Sequence, residues 1–208
     1  MRHVSRSLCA LLSMALYALS QAPEETMQVR PTLTEAKYCR ESTSLTTLVL
    51  IVSLEYVNSS SAPVILSKIT YHSGVFLSRT YDDAAARRYK QTVAVKGPSL
   101  PSHLAEPLEG PTKQFEVVPP GRSVFREHRV VLALDQSGNR RALLRPGNDV
   151  YVQIDIEHWP VSQSETAKLR SKWQEHGVLF AHRIRTSPVR VHVERVPRIT
   201  NCSRDWRM

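Results

Sequence analysis

Glycine is scarce in this chain: seven residues against thirteen prolines in 208. Such a ratio suits stiff turns and strand edges, as in all-β proteins, more than a helical bundle. None of the glycine motifs that carry chemistry is present. There is no phosphate-binding glycine loop, no Gly-x-Ser-x-Gly nucleophile elbow and no paired-histidine zinc helix, so the sequence offers no catalytic constellation of those kinds. Cysteine is as sparse, with only Cys9, Cys39 and Cys202. Disorder of the whole chain is excluded by 41% hydrophobic and 23% charged residues. The length allows one ordinary domain plus a leader, and is short for two separate cores.

Residues 1–22 read as a signal peptide. Arg2, His3 and Arg6 form a basic start, Leu8 to Leu19 is apolar, and Ser20-Gln21-Ala22 supplies small residues for cleavage before Pro23. The apolar run falls short of the roughly twenty residues of a spanning helix. The expected location is therefore exported, periplasmic or extracellular, with membrane anchoring through an uncleaved leader as the alternative. Cleavage removes Arg2, Arg6 and no acid, lowering the formal charge from +9 to +7. It also removes Cys9. Cys39 and Cys202, one near each end of the domain, can then bond in an oxidising compartment or remain two thiols.

The strongest fold signal lies at Leu45 to Leu66. Leu48, Leu50, Val52, Leu54 and Tyr56 share one side of a two-residue repeat, while Thr47, Val49, Ile51, Ser53 and Glu55 share the other. Asn58-Ser59-Ser60-Ser61 turns the chain, and Pro63-Val64-Ile65-Leu66 starts a second strand, so a hairpin is expected here. Its apolar face needs a second sheet to cover it. Val150, Val152, Ile154 and Ile156 alternate with Tyr151, Gln153, Asp155 and Glu157, which predicts one packed face and one solvated face.

Two short helices are expected. One starts at Thr80, with Asp82-Asp83 ahead of Arg87-Arg88; the other runs from Glu165 to His176, with Leu169 and Trp173 four apart and Gly177 as a stop. Near the C-terminus, Val178, Phe180 and Ile184 fall on even positions, but Val189, Val191 and Val193 on odd ones. The phase slips at Ser187-Pro188, which predicts a bulge, a bend or a change of sheet. The expected organisation is signal peptide 1–22, linker 23–36, β-sandwich 37–197 and polar tail 198–208, with a first edge strand over Ala36 to Arg40.

Several segments resemble the immunoglobulin-like or fibronectin type III-like sandwich domains of exported bacterial proteins. They are Leu54-Glu55-Tyr56-Val57-Asn58-Ser59-Ser60-Ser61-Ala62-Pro63-Val64, Val118-Pro119-Pro120-Gly121-Arg122-Ser123, Leu144 to Val152, and Ser187-Pro188-Val189-Arg190-Val191-His192-Val193. The resemblance spans about Lys37 to Val196. It implies an antiparallel immunoglobulin-like β-sandwich carrying two short helical insertions, and domains of this kind mostly bind, space or brace other components.

For chemistry, the chain offers a basic strand face: Arg183, Arg185, Arg190, His192 and Arg195, with Arg87, Arg88 and Lys90 from the first helix. Arginines suit carboxylate and phosphate groups. The ordinary alternative is a charge excess that only keeps the protein soluble. Histidines are scattered, no metal site or cofactor is expected, and Asp82-Asp83 are helix-start acids before they are a catalytic pair. Asn58-Ser59-Ser60 and Asn201-Cys202-Ser203 match the glycosylation sequon. The expected function is a non-enzymatic binding or accessory module whose partner is a protein or an anionic envelope polymer, not a specific nucleic acid. A membrane-tethered structural envelope protein and a small metal-dependent hydrolase are the alternatives.

Overall fold

The computed structural model describes residues 27–40, 46–68, 71–88, 91–93, 110–111, 115–134, 143–158 and 163–202. The expectations for the leader, for Lys90 and for the end of the tail lie outside these residues. The described part is mostly β-strand, arranged in three sheets.

The first sheet contains β1 (Met27–Arg40), β2 (Thr46–Asn58), β7 (Ser123–Ala133) and β12 (Ile199–Thr200), in the order β12-β1-β2-β7. The second contains β4 (Tyr71–Ser78), β5 (Gln91–Val93), β8 (Asp149–Glu157), β10 (Arg183–Arg185) and β11 (Val189–His192). The third joins β3 (Val64–Ser67), β6 (Phe115–Val118) and β9 (Val178–Phe180). The even-numbered residues Leu48 to Tyr56 of β2, Val130 and Leu132 of β7, and Val150 to Ile156 of β8 are all buried in one apolar cluster. The first two sheets therefore share a core in sandwich fashion, as the two-residue repeats demand.

β2 and β3 are not a hairpin. β2 pairs with β1 and β7, whereas β3 pairs with β6 and, in parallel, with β9. The chain turns a corner from one sheet into another, and Asn58 explains why. This fully buried side chain donates through Nδ2 to the carbonyls of Ala62 (2.9 Å) and Val118 (2.8 Å), while its Oδ1 accepts from the N–H (2.9 Å) and hydroxyl (2.7 Å) of Ser60. Its backbone bonds Arg122 and Gly121 of the returning turn, both at 2.9 Å. Local side-chain bonds of this kind divert a chain that would otherwise continue a ladder. Asn58→Ala should cost about 3 kcal/mol of unfolding free energy, because it strands buried carbonyls. Urea denaturation measures this, and a loss under about 1 kcal/mol would refute the role.

β1 begins at Met27, so the expected linker 23–36 is in large part a strand, and the edge strand expected at Ala36 to Arg40 is only its end. Its first half pairs with the end of β2, from Met27↔Asn58 to Leu33↔Val52, and a one-residue shift at Thr34 separates that register from the second half. Over this stretch β2 is the strand beside it among the described residues, which leaves room for Pro31 on an edge.

The slip at Ser187-Pro188 is a bulge within one sheet. β10 and β11 both pair with β8, Arg185 opposite Asp155 and Val189 opposite Val152, so three residues of one chain segment face two of β8. Thr186 closes the gap. Its backbone N–H donates to the Ile154 carbonyl, and its hydroxyl accepts from the Ile154 N–H, both at 3.0 Å. A similar extra residue at Ser73 shifts the register of β4 against β8.

The helices are short. α1 (Tyr81–Ala85) is capped by the Thr80 hydroxyl, which accepts from the Asp83 N–H at 3.1 Å, and the chain leaves the helix before Arg87, whose φ of 57° is left-handed. α2 (Gln163–Lys172) is followed by turns that carry Trp173 into contact with Phe115, ring centroids 4.9 Å apart, in a second small core with Ile65, Leu169 and Leu179. Gly177 (φ 139°) ends this region, and a Cβ there would collide with the Pro63 carbonyl.

The C-terminal segment is not loose as far as it is described. β12 runs parallel to β1, with Tyr38↔Ile199 and Cys39↔Thr200, and Cys39 is disulfide-bonded to Cys202 with Cα atoms 5.3 Å apart.

Candidate functional site

Outward-facing positions of β8 carry the polar chemistry. Asp149 and Asp155 are six residues apart on the strand, about 20 Å at the rise of extended chain. Each collects part of the expected basic face, in two separate clusters.

At the Asp155 end, β10 places Arg183 and Arg185 on the same carboxylate. Arg185 donates from Nε to Oδ1 (2.6 Å) and from Nη2 to Oδ2 (2.7 Å); Arg183 donates from Nε (3.0 Å) and Nη2 (2.5 Å) to Oδ2. The Asp155 side chain is 1% exposed, so the solvated face expected here is in fact a covered ion cluster. Burial alone would raise its pKa; the hydrogen bonds from Arg185 and Arg183 outweigh that and hold the carboxyl below the usual range. The Arg185 guanidinium also lies 3.9 Å from the Phe76 ring centre. Gln153, buried beside this cluster on β8, donates to the Thr186 carbonyl at 3.0 Å.

At the other end, β11 brings Arg190 and His192 to Asp149. Arg190 Nη2 donates to Oδ2 at 2.5 Å, and His192 Nδ1 lies 2.9 Å from Oδ1. The bond from Arg190 and then that from His192 lower the Asp149 pKa. On α1, Arg88 pairs with Asp83 at 3.2 Å, and Arg87 is exposed. Arg88, Arg183, Arg185 and Arg190 thus each have a carboxylate partner.

Two further exposed cations, outside the expected set, lie together elsewhere. Arg79, just past β4, and Arg145, in the turn before β8, line a cleft of about 430 Å³ with Asn148 and Asp149. Neither arginine forms an ion pair among the described residues. The turn is closed by the Asn148 N–H donating to the Arg145 carbonyl (3.1 Å), and it is tied to the strand after it by Val193 N–H donating to the Asn148 carbonyl (2.8 Å). Gly147 suits this turn because its φ of 84° is a left-handed conformation that residues with a Cβ rarely adopt. Sequence reasoning missed this pair. Arg79 and Arg145 sit 66 positions apart in no shared motif, and only the pairing of β4 with β8, Ser78 opposite Tyr151, brings them together.

A second buried polar group lies between the sheets. His158 is fully buried; its Nδ1 donates to the His182 carbonyl (3.3 Å), so Nε2 accepts from the Tyr56 hydroxyl (3.0 Å). Burial pushes the His158 pKa down to about 4 and the Tyr56 hydroxyl well above the usual phenol range. With the folded value below the ordinary 6.5, the unfolded chain takes the proton first. Stability should therefore be full above about pH 6.5 and fall toward pH 4, by about 3 kcal/mol. Urea midpoints across that range, compared with His158→Gln, check this; equal slopes in the two proteins would refute it.

Among the described residues there is no group of three or more His, Cys, Asp or Glu side chains placed to hold a metal ion, and no helix long and apolar enough to cross a membrane. No family model matches the sequence, and no curated protein matches it. A solved structure described as the X-ray structure of Northeast Structural Genomics Consortium target SoR45 is similar at 12% identity with a TM-score of 0.36, covering 82% of this chain and 89% of that one.

Proposed function

We propose that this chain is an exported, immunoglobulin-like β-sandwich that acts as a binding module, with its ligand contact in the cleft between Arg79 and Arg145. The observation that carries this reading is the cleft itself, where two exposed guanidinium groups flank an opening of about 430 Å³ while the neighbouring arginines are engaged by aspartates. Two arginines so placed suit a carboxylate or phosphate group on an anionic envelope polymer. Asp149 lines the same cleft but is already hydrogen-bonded by Arg190 and His192, which reduces its repulsion of an anion. Export is supported by the N-terminal basic and apolar segments and by the Cys39–Cys202 bond. The immunoglobulin-like reading is supported by the shared core of two mainly antiparallel sheets and by the chain's passage between sheets at Asn58.

Calorimetric titration with inorganic tripolyphosphate tests the site. Arg79→Ala and Arg145→Ala should each weaken binding about tenfold or more, since hydrogen bonds to charged groups contribute about 1.5 to 3 kcal/mol. Lys37→Ala, which removes the same charge from β1 on the other sheet, should leave binding unchanged. Equal losses in all three variants would show a response to net charge alone and would overturn the site.

A further inference from the structure

An aromatic pair adjoins the arginine cleft. Tyr81 is the first residue of α1, whose start is fixed by the Thr80 hydroxyl and whose Ala84 is buried against the body of the protein. Its ring meets Tyr151 of β8 edge to face, with centroids 6.0 Å apart and planes at 80°. This contact holds the Tyr81 side chain in place yet leaves it 53% exposed. A single exposed ring is ordinary on a protein surface. What distinguishes Tyr81 is where it stands.

Two stretches of chain lead from that ring to the cleft. Arg79 precedes Tyr81 by two residues, and Asp149 precedes Tyr151 by two on the same outward face of β8, about 7 Å along the strand. The pairing of β4 with β8, Ser78 opposite Tyr151, brings the two stretches together. This face therefore presents, side by side, an aromatic ring, two guanidinium groups, the Asn148 amide and the Asp149 carboxylate. We propose that the ligand is an acidic polysaccharide: a carboxylate-bearing sugar unit lies between Arg79 and Arg145, and the adjoining unit packs on Tyr81. The proposal rests on the cleft being the binding site.

Each part of the site matches such a unit. The C–H face of a sugar ring is apolar and covers an aromatic face, while the tyrosine hydroxyl stays in water. Sugar hydroxyls both donate and accept, and so does the exposed Asn148 amide. Asp149 has accepting capacity to spare, since Arg190 takes one of its oxygens and His192 the other. A few polar groups converging beside an aromatic surface are the usual furniture of a small-ligand site. The backbone of a DNA strand brings charge but no donor for Asp149, and inorganic polyphosphate brings no apolar face for Tyr81. The rival use of the tyrosines is to pack α1 on β8 and nothing more.

Calorimetric titration with tripolyphosphate, with tetramers of galacturonate and of mannuronate, and with an oligothymidylate of equal charge tests the proposal. A uronate tetramer should bind, and Tyr81→Ala should weaken it about tenfold, the worth of covering one ring face with apolar surface. The same variant should bind tripolyphosphate as wild type does, which also reports that it is folded. Tyr81→Phe, which keeps the ring, should retain the uronate affinity, and Arg145→Ala should weaken both ligands. If tripolyphosphate needs the two arginines but no uronate binding depends on Tyr81, the polysaccharide is wrong and the cleft stands. If tripolyphosphate is indifferent to both arginines, the cleft falls and the proposal with it. Oligothymidylate bound more tightly than either tetramer, and weakened by Tyr81→Ala, would assign this face to single-stranded nucleic acid and overturn the proposal.

Discussion

Replacing Cys39 and Cys202 together by alanine should lower the unfolding free energy by about 4 to 5 kcal/mol, the largest effect expected of any change described for this chain. The bond links residues 163 apart. In the chain-entropy model the cost of leaving so long a loop open in the unfolded state is of that size. The loss should also have a local signature. β12 touches β1 through only two register pairs, with Tyr38 and Cys39, and the Thr200 hydroxyl donates to the Tyr38 carbonyl at 3.3 Å. Without the bond this short parallel strand should exchange its amide hydrogens far faster than β2. Denaturant unfolding with and without reductant, followed by hydrogen exchange at residues 199 and 200, gives both readings. A difference below about 1 kcal/mol would mean that the two ends are held by packing alone.

Asp155→Ala should cost about 3 kcal/mol. The substitution removes four short hydrogen bonds at once and leaves two guanidinium groups side by side on β10 without their shared counter-charge. Breaking a buried pair by deleting one partner costs about 3 to 5 kcal/mol, and the lower end applies because Arg183 is half exposed. Arg183→Ala should cost much less, since Arg185 still serves both carboxylate oxygens. Because the Asp155 pKa is lowered on folding, its contribution is present above the ordinary carboxylate pKa of 3.8 and is lost as the pH falls further. Guanidinium denaturation of the two variants at pH 7 would expose an error here: similar small losses in both would mean that the cluster contributes little.

Much of the sheet structure was legible from alternation alone. The buried even positions of β2 and β8, the phase slip before Val189 and the helix start at Thr80 all follow from residues within a few positions of one another. What stayed hidden depended on distant partners. Nothing near Asp155 in sequence says that Arg183 and Arg185 will cover it, so alternation alone predicts one wet face where the folded strand carries a covered ion cluster. The turn chemistry of Asn58 was visible, but whether the chain doubles back or changes sheet depended on Val118, sixty residues away. Gln28, Arg30 and Thr32 disguised the first half of β1 as a linker, because an edge strand with one polar face carries little apolar signal. The arginine cleft was missed for the same reason: strand pairing places its members, not sequence pattern.

Asn58 also bears on the choice of cell in which to make this protein. It heads an Asn-Ser-Ser sequon, and both hydrogens of its amide are committed to carbonyls in a site with no exposure. A eukaryotic secretory host that attached a sugar to the nascent chain would remove one of those donors and place a bulky group where none fits. Glycan occupancy and native folding should then be mutually exclusive, so material from such a host should divide into a modified, misfolded fraction and an unmodified, native one.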